Sequence, residues 1–232
     1  MDTHEDEVTI DDAAVVWSVA TEEISERLVE QPLVVVMHGR GSHENDLAQL
    51  FPLLPAGCVY ASLRAPLSGA PYGLGGWTWF TASGANGPER ASVDAAVAAV
   101  IAWLDRAEGR FGAPPAIAAL GFSQGGMMSI ELMRAAPHRF AAAVNLSGAS
   151  AHGAVAGDEV LAARRPPLFW GRDVADPIID AAAIARTEEF VPAHFDVTAR
   201  LYPGIAHSIS QEELVEVSGF LVEALRLDGA VA

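Results

Sequence analysis

The sequence contains no lysine, and all fourteen of its basic residues are arginine. Thirty acidic residues outnumber them, so the formal net charge is −16 and the isoelectric point lies near 4.6. Nucleic acids and anionic bilayers bind proteins through clustered basic side chains. This charge balance therefore argues against nucleic acid as a partner and against stable association with a membrane.

Cysteine and long apolar runs are scarce as well. The single cysteine, Cys58, excludes an intramolecular disulfide. No apolar run reaches the ~18 residues that a membrane-spanning helix needs. The first twelve residues, MDTHEDEVTIDD, are acidic and polar, unlike a secretory signal. We expect a cytoplasmic protein with an acidic N-terminal tail over residues 1–12 and a single domain over residues 13–232.

Short apolar, β-branched runs alternate with longer helical patterns along the chain. Some of these runs, such as PLVVVMHG, are almost continuously apolar, as strands buried on both faces should be. Strands alternating with helices predict a three-layer α/β fold with a mostly parallel central sheet. We predict strands at residues 14–19, 32–39, 58–63, 116–122, 142–148, 167–171 and 197–204.

Three helices have recognisable ends or faces. Apolar residues at helical spacing predict one that ends near Gly109 or Gly112. A second is predicted over Gln124–Ala135, before Pro137 stops it. The last helix begins at Ser210, where Glu213 three residues later forms a capping-box pattern.

The stretch GFSQG, residues 121–125, places Ser123 between a buried strand and a helix. A serine on such a sharp strand–turn–helix bend needs small residues two positions before and after it, and here these are Gly121 and Gly125. The pattern alone also fits an ordinary glycine-rich turn. Its strand–turn–helix context favours a nucleophile whose hydroxyl is exposed near a helix N-terminus.

A serine hydroxyl needs a base to become nucleophilic. Enzymes with this bend carry the acid and then the histidine downstream of the serine. Three histidines qualify, but His152 follows its strand too soon, and His194 precedes a strand. His207 follows the strand at 197–204, at the sheet edge where active residues of such folds gather, and is the predicted base.

The acid should lie after the strand at 167–171, which RDVADPIID follows. Asp176 precedes Pro177, which stiffens the turn and leaves the carboxylate free to bond an imidazole rather than its own backbone. Asp173 lies closer to the strand end and remains the alternative. Asp180 is the third acid of this stretch.

Acyl transfer also requires donors for the negative charge that develops on the carbonyl oxygen. One is the backbone N–H of the residue after the nucleophile, Gln124. The other is expected from the loop HGRG, where the predicted donor is the N–H of Arg40. Its neighbours His38, Gly39 and Gly41 are predicted to contact the substrate.

With HGRG, GFSQGG, DPII and GIAH in hand, the chain resembles the phospholipase/carboxylesterase family of α/β-hydrolases, over about residues 13–226. GFSQGG is the most specific motif, because the glutamine after the nucleophile is typical of this family. The resemblance implies the α/β-hydrolase fold without a large lid, and chemistry that needs no cofactor or metal. It assigns the triad to Ser123, Asp176 and His207 and the oxyanion donors to Arg40 and Gln124.

Two departures from the family pattern stand out. Arg40 occupies a position where the family often has an apolar or aromatic residue, although its main-chain N–H keeps the donor role. The longer stretch GRDVADP leaves the choice between Asp173 and Asp176 open.

Residues 64–90 form a Gly/Pro-rich loop with several aromatic residues. Trp77, Trp79 and Phe80 are predicted to line an acyl pocket, and the alternative is that they pack the loop onto the sheet. We expect small esters of short- to medium-chain acids as substrates, with thioesters as an alternative. Two other functions stay open: an acyltransferase on the same fold, and a non-catalytic ligand-binding module. The oligomeric state is open too, a homodimer included.

Overall fold

The computed structural model describes residues 8–81 and 87–227. The strands within these ranges are β1 (Val16–Trp17), β2 (Leu33–Met37), β3 (Val59–Leu63), β4 (Leu67–Ser68), β5 (Trp77–Thr78), β6 (Ile117–Phe122), β7 (Ala142–Leu146), β8 (Pro167–Arg172) and β9 (Asp196–Leu201). The α-helices are α1 (Ile24–Glu30), α2 (Glu44–Ala48), α3 (Arg90–Phe111), α4 (Gln124–Ala135), α5 (Asp158–Arg164), α6 (Ala181–His194) and α7 (Gln211–Ala224).

Within the described residues, seven strands form the central sheet in the order β1-β3-β2-β6-β7-β8-β9. Every neighbouring pair is parallel except β1 with β3. The two short strands β4 and β5 pair separately as a hairpin. The predicted α/β fold with a mostly parallel sheet is confirmed.

Both faces of the sheet are covered, which explains the continuously apolar strands. In β2, Leu33, Val35 and Met37 pack on one face, with α1 and α3–α6, while Val34 and Val36 face the other, with α2 and α7. A strand between two helical layers has no solvent side, so both sets of its alternating side chains are apolar. A strand at the edge of the sheet is covered less completely, and β9 is largely exposed.

The structure departs from the predicted elements in three places. The first strand is only two residues long, because β1 pairs at the sheet edge with β3 alone. The sequence patterns did not reveal α1, α2, α5 and α6, whose buried faces are narrow. At α7, Ser210 Oγ accepts a hydrogen bond from Glu213 N (3.0 Å), but the Glu213 carboxylate does not return it and is buried instead.

The other helix ends agree with the prediction. Helix α4 spans Gln124–Ala135, and α3 ends at Phe111. Gly112 caps α3 with a φ of 99°, a conformation that favours glycine.

The N-terminal acidic segment is described only from residue 8. Ile10 is buried in the core, and the Arg106 guanidinium binds the Ile10 carbonyl and the Asp12 carboxylate. Residues 1–7 of the predicted tail lie outside the described residues. Across the part of the chain that the structure describes, no helix has both the length and the apolar character needed to cross a bilayer.

The order of the strands creates a crevice at one edge of the sheet. The chain runs outward from β2 to β3 and then returns to place β6 on the other side of β2. Ligand sites of open α/β sheets lie outside the carboxyl ends of the strands at such a reversal. Met37 at the end of β2 is paired with Gly121 near the end of β6, so the HGRG and GFSQGG loops leave the sheet side by side.

Candidate active site

The bend at Ser123 is as tight as its glycines predict. Ser123 has a φ of 56° and a ψ of −114°, a strained conformation for a residue with a side chain. A Cβ at Gly121 would overlap the Gly125 carbonyl, and one at Gly125 would overlap the Met37 carbonyl. Only glycine fits at both positions, and the bend holds the Ser123 side chain at the start of α4.

Three side chains from separate loops meet at this bend. The Oγ of Ser123 lies 2.8 Å from Nε2 of His207, which is 84 residues away in the sequence. The other ring nitrogen, Nδ1, lies 2.7 Å from Oδ2 of Asp176. The Asp176 side chain is 1% exposed and that of His207 is 15% exposed, so this ion-pair geometry is shielded from water. A hydroxyl, an imidazole and a carboxylate in this order can transfer a proton away from the hydroxyl.

The two acids after β8 have different partners. Asp173 is buried, and its oxygens accept hydrogen bonds from the backbone N–H groups of Ala175 and Ala206. These bonds, that of Ala175 first, hold the pKa of Asp173 below its usual value. Asp176, which contacts the ring, also accepts two backbone hydrogen bonds through Oδ1, from Ile178 and Ile179. The expectation that the Asp176 carboxylate would be free of its own backbone is therefore wrong. Its Oδ1 accepts from the nearby backbone, and only its Oδ2 contacts the imidazole.

The two predicted oxyanion donors face the same cavity as Ser123. Arg40 and Gln124 both line it. The N–H of Gln124 is the first of α4 and has no intrahelical acceptor. The N–H of Arg40 donates to no acceptor within the described residues. Both amides are therefore available to a ligand.

The side chain of Gln124 has a function that the motif did not reveal. Its Oε1 accepts hydrogen bonds from Trp79 N (2.9 Å) and Thr78 Oγ1 (3.0 Å), and its Nε2 donates to the Phe80 carbonyl (2.7 Å). An amide side chain is needed here because it supplies both an acceptor and a donor. This residue anchors the aromatic loop to the bend at Ser123.

Two predicted substrate contacts, His38 and Trp79, are fully buried. The Trp79 indole donates to the His38 carbonyl (2.8 Å). His38 Nδ1 lies 2.7 Å from the Gly39 carbonyl, and Nε2 accepts from Ala65 N (3.1 Å). Burial lowers the pKa of His38, consistent with a neutral ring in this arrangement. The prediction of direct substrate contact does not fit either residue, because both are buried and the polar atoms of both side chains are engaged inside the protein.

Of the remaining residues predicted to contact the substrate, some stabilise the loops around the cavity and one lines the cavity itself. Gly39 packs against Phe122, and Gly41, with a φ of 80°, donates to the Trp77 carbonyl. Trp77 stacks under the Arg64 guanidinium, so it stabilises the loop. Of the predicted aromatic residues, Phe80 is the one that lines the cavity.

The cavity over Ser123 has a volume of about 350 Å³. Much of its wall comes from elements that the sequence patterns did not place there, chiefly α6 and the segment before it. The apolar run after Asp176 was the available signal, but it carries no periodicity. Lining residues beyond those predicted are Gly87, Pro88, Met127, Ala149, His152, Ile178, Ile179, Asp180, Ala182, Ala183 and Arg186.

Comparison with known proteins agrees with this geometry. The Phospholipase/Carboxylesterase family profile matches residues 20–225. The chain belongs to the phospholipase/carboxylesterase family. The family predicted from the motifs is thus confirmed, as is the assignment to an enzyme family of esterases.

Two curated relatives of this family member illustrate the range of similarity. Esterase YpfH of Escherichia coli (strain K12) is 28% identical over 191 residues, which are 79% of each chain. A probable carboxylesterase of Oryza sativa subsp. japonica is 31% identical over 134 residues, 56% of this chain. The match spans half the length of the rice protein, 50%.

Solved structures share the fold of this family member over nearly its whole length. The carboxylesterase of Bacillus cereus superimposes with a TM-score of 0.76 at 16% identity, covering 90% of this chain and 93% of its own. Esterase PE8 gives 0.71 at 25% identity, covering 94% and 100%. The α/β-hydrolase-like fold is therefore shared even where little sequence is.

Proposed function

We propose that the protein is a serine hydrolase that cleaves carboxylic esters through an acyl-enzyme. One observation carries the proposal: a hydroxyl, an imidazole and a carboxylate contact one another in series, Ser123 with His207 and His207 with Asp176, beside an open cavity. A protein that only bound a ligand would need no such series.

In the proposed mechanism, His207 Nε2 takes the proton of Ser123 as Oγ attacks the ester carbonyl. The Asp176 carboxylate holds the ring and stabilises the imidazolium. The N–H groups of Arg40 and Gln124 receive the negative charge of the tetrahedral intermediate. The alcohol leaves with the proton from His207, and water then attacks the acyl-enzyme by the same route.

The substrates proposed are small esters of short- to medium-chain acids. A cavity of about 350 Å³ accommodates such an acyl chain, and its wall includes apolar residues such as Phe80, Met127 and Ile179. Thioesters react through the same intermediate and remain a second substrate class.

Labelling with a fluorophosphonate probe tests the nucleophile. We expect wild type to be labelled and Ser123→Ala to be unlabelled, with ester hydrolysis lowered on the order of 10⁶-fold. The matched control is Ser218→Ala, a change of another serine, on α7, whose hydroxyl bonds the Leu53 carbonyl. Labelling that persists in Ser123→Ala would contradict the proposal.

Product analysis separates the other functions. A p-nitrophenyl ester series is incubated with and without an added alcohol acceptor. A hydrolase yields the free acid in both cases, whereas an acyltransferase yields the new ester when the acceptor is present. A ligand-binding module would yield neither product and take no label.

A further inference from the structure

The wall of the cavity above Ser123 includes one face of α6, which carries Arg186. Ala182, Ala183 and Arg186 line it at positions i, i+1 and i+4, so one face of α6 forms this wall. Apolar side chains, among them Met127 and Ile178, line the same cavity. A ligand that fills the cavity therefore contacts both Ser123 and α6.

The guanidinium of Arg186 is held in place by two hydrogen bonds. Its Nε donates to the Ser150 carbonyl (3.0 Å), and its Nη1 lies 2.9 Å from Nε2 of His152. Because arginine only donates, Nε2 of His152 is the acceptor here. A guanidinium carries more N–H groups than these two bonds use. The guanidinium of Arg186 is thus fixed in orientation and keeps N–H groups that can donate to a ligand.

Among the described residues, Arg186 has no carboxylate within ion-pair distance, as is also true of Arg40 in the same cavity wall, whereas Arg90, Arg134 and Arg172 each have one. Arg90 and Arg134 both bind Glu131, which also accepts from Ala151 N. Asp180 lines the cavity, but its Oδ1 accepts from Ala183 N at the start of α6.

The burial of Arg186 and the charges around it are consistent with a guanidinium that can bind an anion. Burial lowers the pKa of Arg186, against a raising effect from the charges of Asp180 and Glu131. A guanidinium remains charged in proteins all the same. The side chain has therefore lost part of its hydration, and the nearby charges of Asp180 and Glu131 act on it without a direct ion pair.

We infer that Arg186, oriented by His152 and Ser150, is an anion-binding subsite, and that the preferred ester carries a carboxylate. The inference rests on the proposed esterase function and names its substrate class. A fixed guanidinium matches a carboxylate with two parallel hydrogen bonds, which gives orientation as well as attraction. The carboxylate can belong to the acyl half or to the alcohol half of the ester.

Matched ester pairs test the subsite and separate these two sources. For the acyl half, p-nitrophenyl hydrogen adipate is compared with p-nitrophenyl hexanoate. For the alcohol half, 4-acetoxybenzoate is compared with phenyl acetate. We expect kcat/KM to favour the anionic member of at least one pair about tenfold, after subtraction of the uncatalysed rate. The pair that shows it identifies the half that carries the charge.

The Arg186→Gln variant links the preference to this side chain. We expect it to lower kcat/KM for the favoured anionic ester about tenfold, mainly through KM, and to leave the neutral ester within about twofold. Arg110→Gln, a change of an exposed arginine outside the cavity, removes the same charge and should leave both esters unchanged. An equal loss on both esters in Arg186→Gln would overturn the subsite.

A measurement on wild type alone covers the case in which Arg186→Gln does not fold. The preference for the anionic ester should shrink as NaCl is raised from about 20 mM to about 500 mM, because salt screens a partly exposed charge pair. A preference that is absent, or independent of salt, overturns the subsite while Ser123-dependent hydrolysis of the neutral ester still supports the esterase. If neither ester is hydrolysed and Ser123 takes no label, the proposed function itself fails.

Discussion

The Asp173 carboxylate accepts a hydrogen bond from the backbone N–H of Ala206 at 2.6 Å, directly before the histidine of the candidate triad. Ala206 has a φ of 55°, an unfavourable conformation for a residue with a Cβ. Asp173 therefore stabilises a strained turn, and Asp176 contacts the His207 ring that the turn presents. Asp173 thus holds the backbone of the turn, whereas Asp176 holds the imidazole.

This division predicts different losses for the two asparagine variants. Asp176→Asn should lower kcat about 10³- to 10⁴-fold, because an amide does not stabilise the imidazolium and favours the wrong tautomer. Asp173→Asn should lower the melting temperature and reduce kcat far less. Ester kinetics and thermal unfolding of both variants check this. A larger loss of kcat in Asp173→Asn than in Asp176→Asn would reverse the assignment of the triad acid.

Two glycine-to-alanine changes are expected to have opposite effects, one at the bend of Ser123 and one in helix α3. In Gly121→Ala the new Cβ overlaps the Gly125 carbonyl, so we expect loss of activity and of folded protein. Gly109 lies in α3, where an added Cβ would meet no atom within 4 Å, and Gly109→Ala should raise the free energy of unfolding by about 0.5–1 kcal/mol. Urea unfolding and ester kinetics measure both. An active, fully stable Gly121→Ala variant would contradict the tight bend.

The buried Glu213 predicts a pH-dependent stability. Burial raises its pKa from 4.5 to about 7, and neither carboxylate oxygen has a hydrogen-bond partner among the described residues. A raised folded-state pKa means that the native protein binds the proton more tightly than the unfolded chain does. The contribution of Glu213 to stability is therefore full below pH 4.5 and is lost as the pH rises to about 7.

The Glu213→Gln variant removes this titration. At pH 8 it should raise the free energy of unfolding by about 1–3 kcal/mol, since the buried charge is gone, while at pH 5 it should match wild type closely. Glu212→Gln, a change of its exposed neighbour, is the control and should alter neither value appreciably. Urea unfolding of wild type and both variants at the two pH values measures these differences. A variant equally destabilised at both would show that the carboxylate has a partner in the fold.

Much of the fold and of the proposed catalytic series was predictable because the causes are local. A strand buried on both faces is apolar at every position, so β2 and β6 were recognisable from their residues. The glycines around Ser123 answer to a steric overlap within a few residues of the chain. The histidine followed from its position after a strand. Short amphipathic helices such as α2 and α5 were missed, because so few turns give little periodicity.

The motifs thus determined the bend at Ser123, the candidate nucleophile and the order of the elements, since each depends on neighbours in the chain. Folding decided which acid meets the imidazole, that His38 and Trp79 are enclosed, and that Arg186 faces the cavity. These outcomes depend on distances between segments far apart in the sequence. Such distances are set by how the helices pack on the sheet, and no local pattern of residues records them.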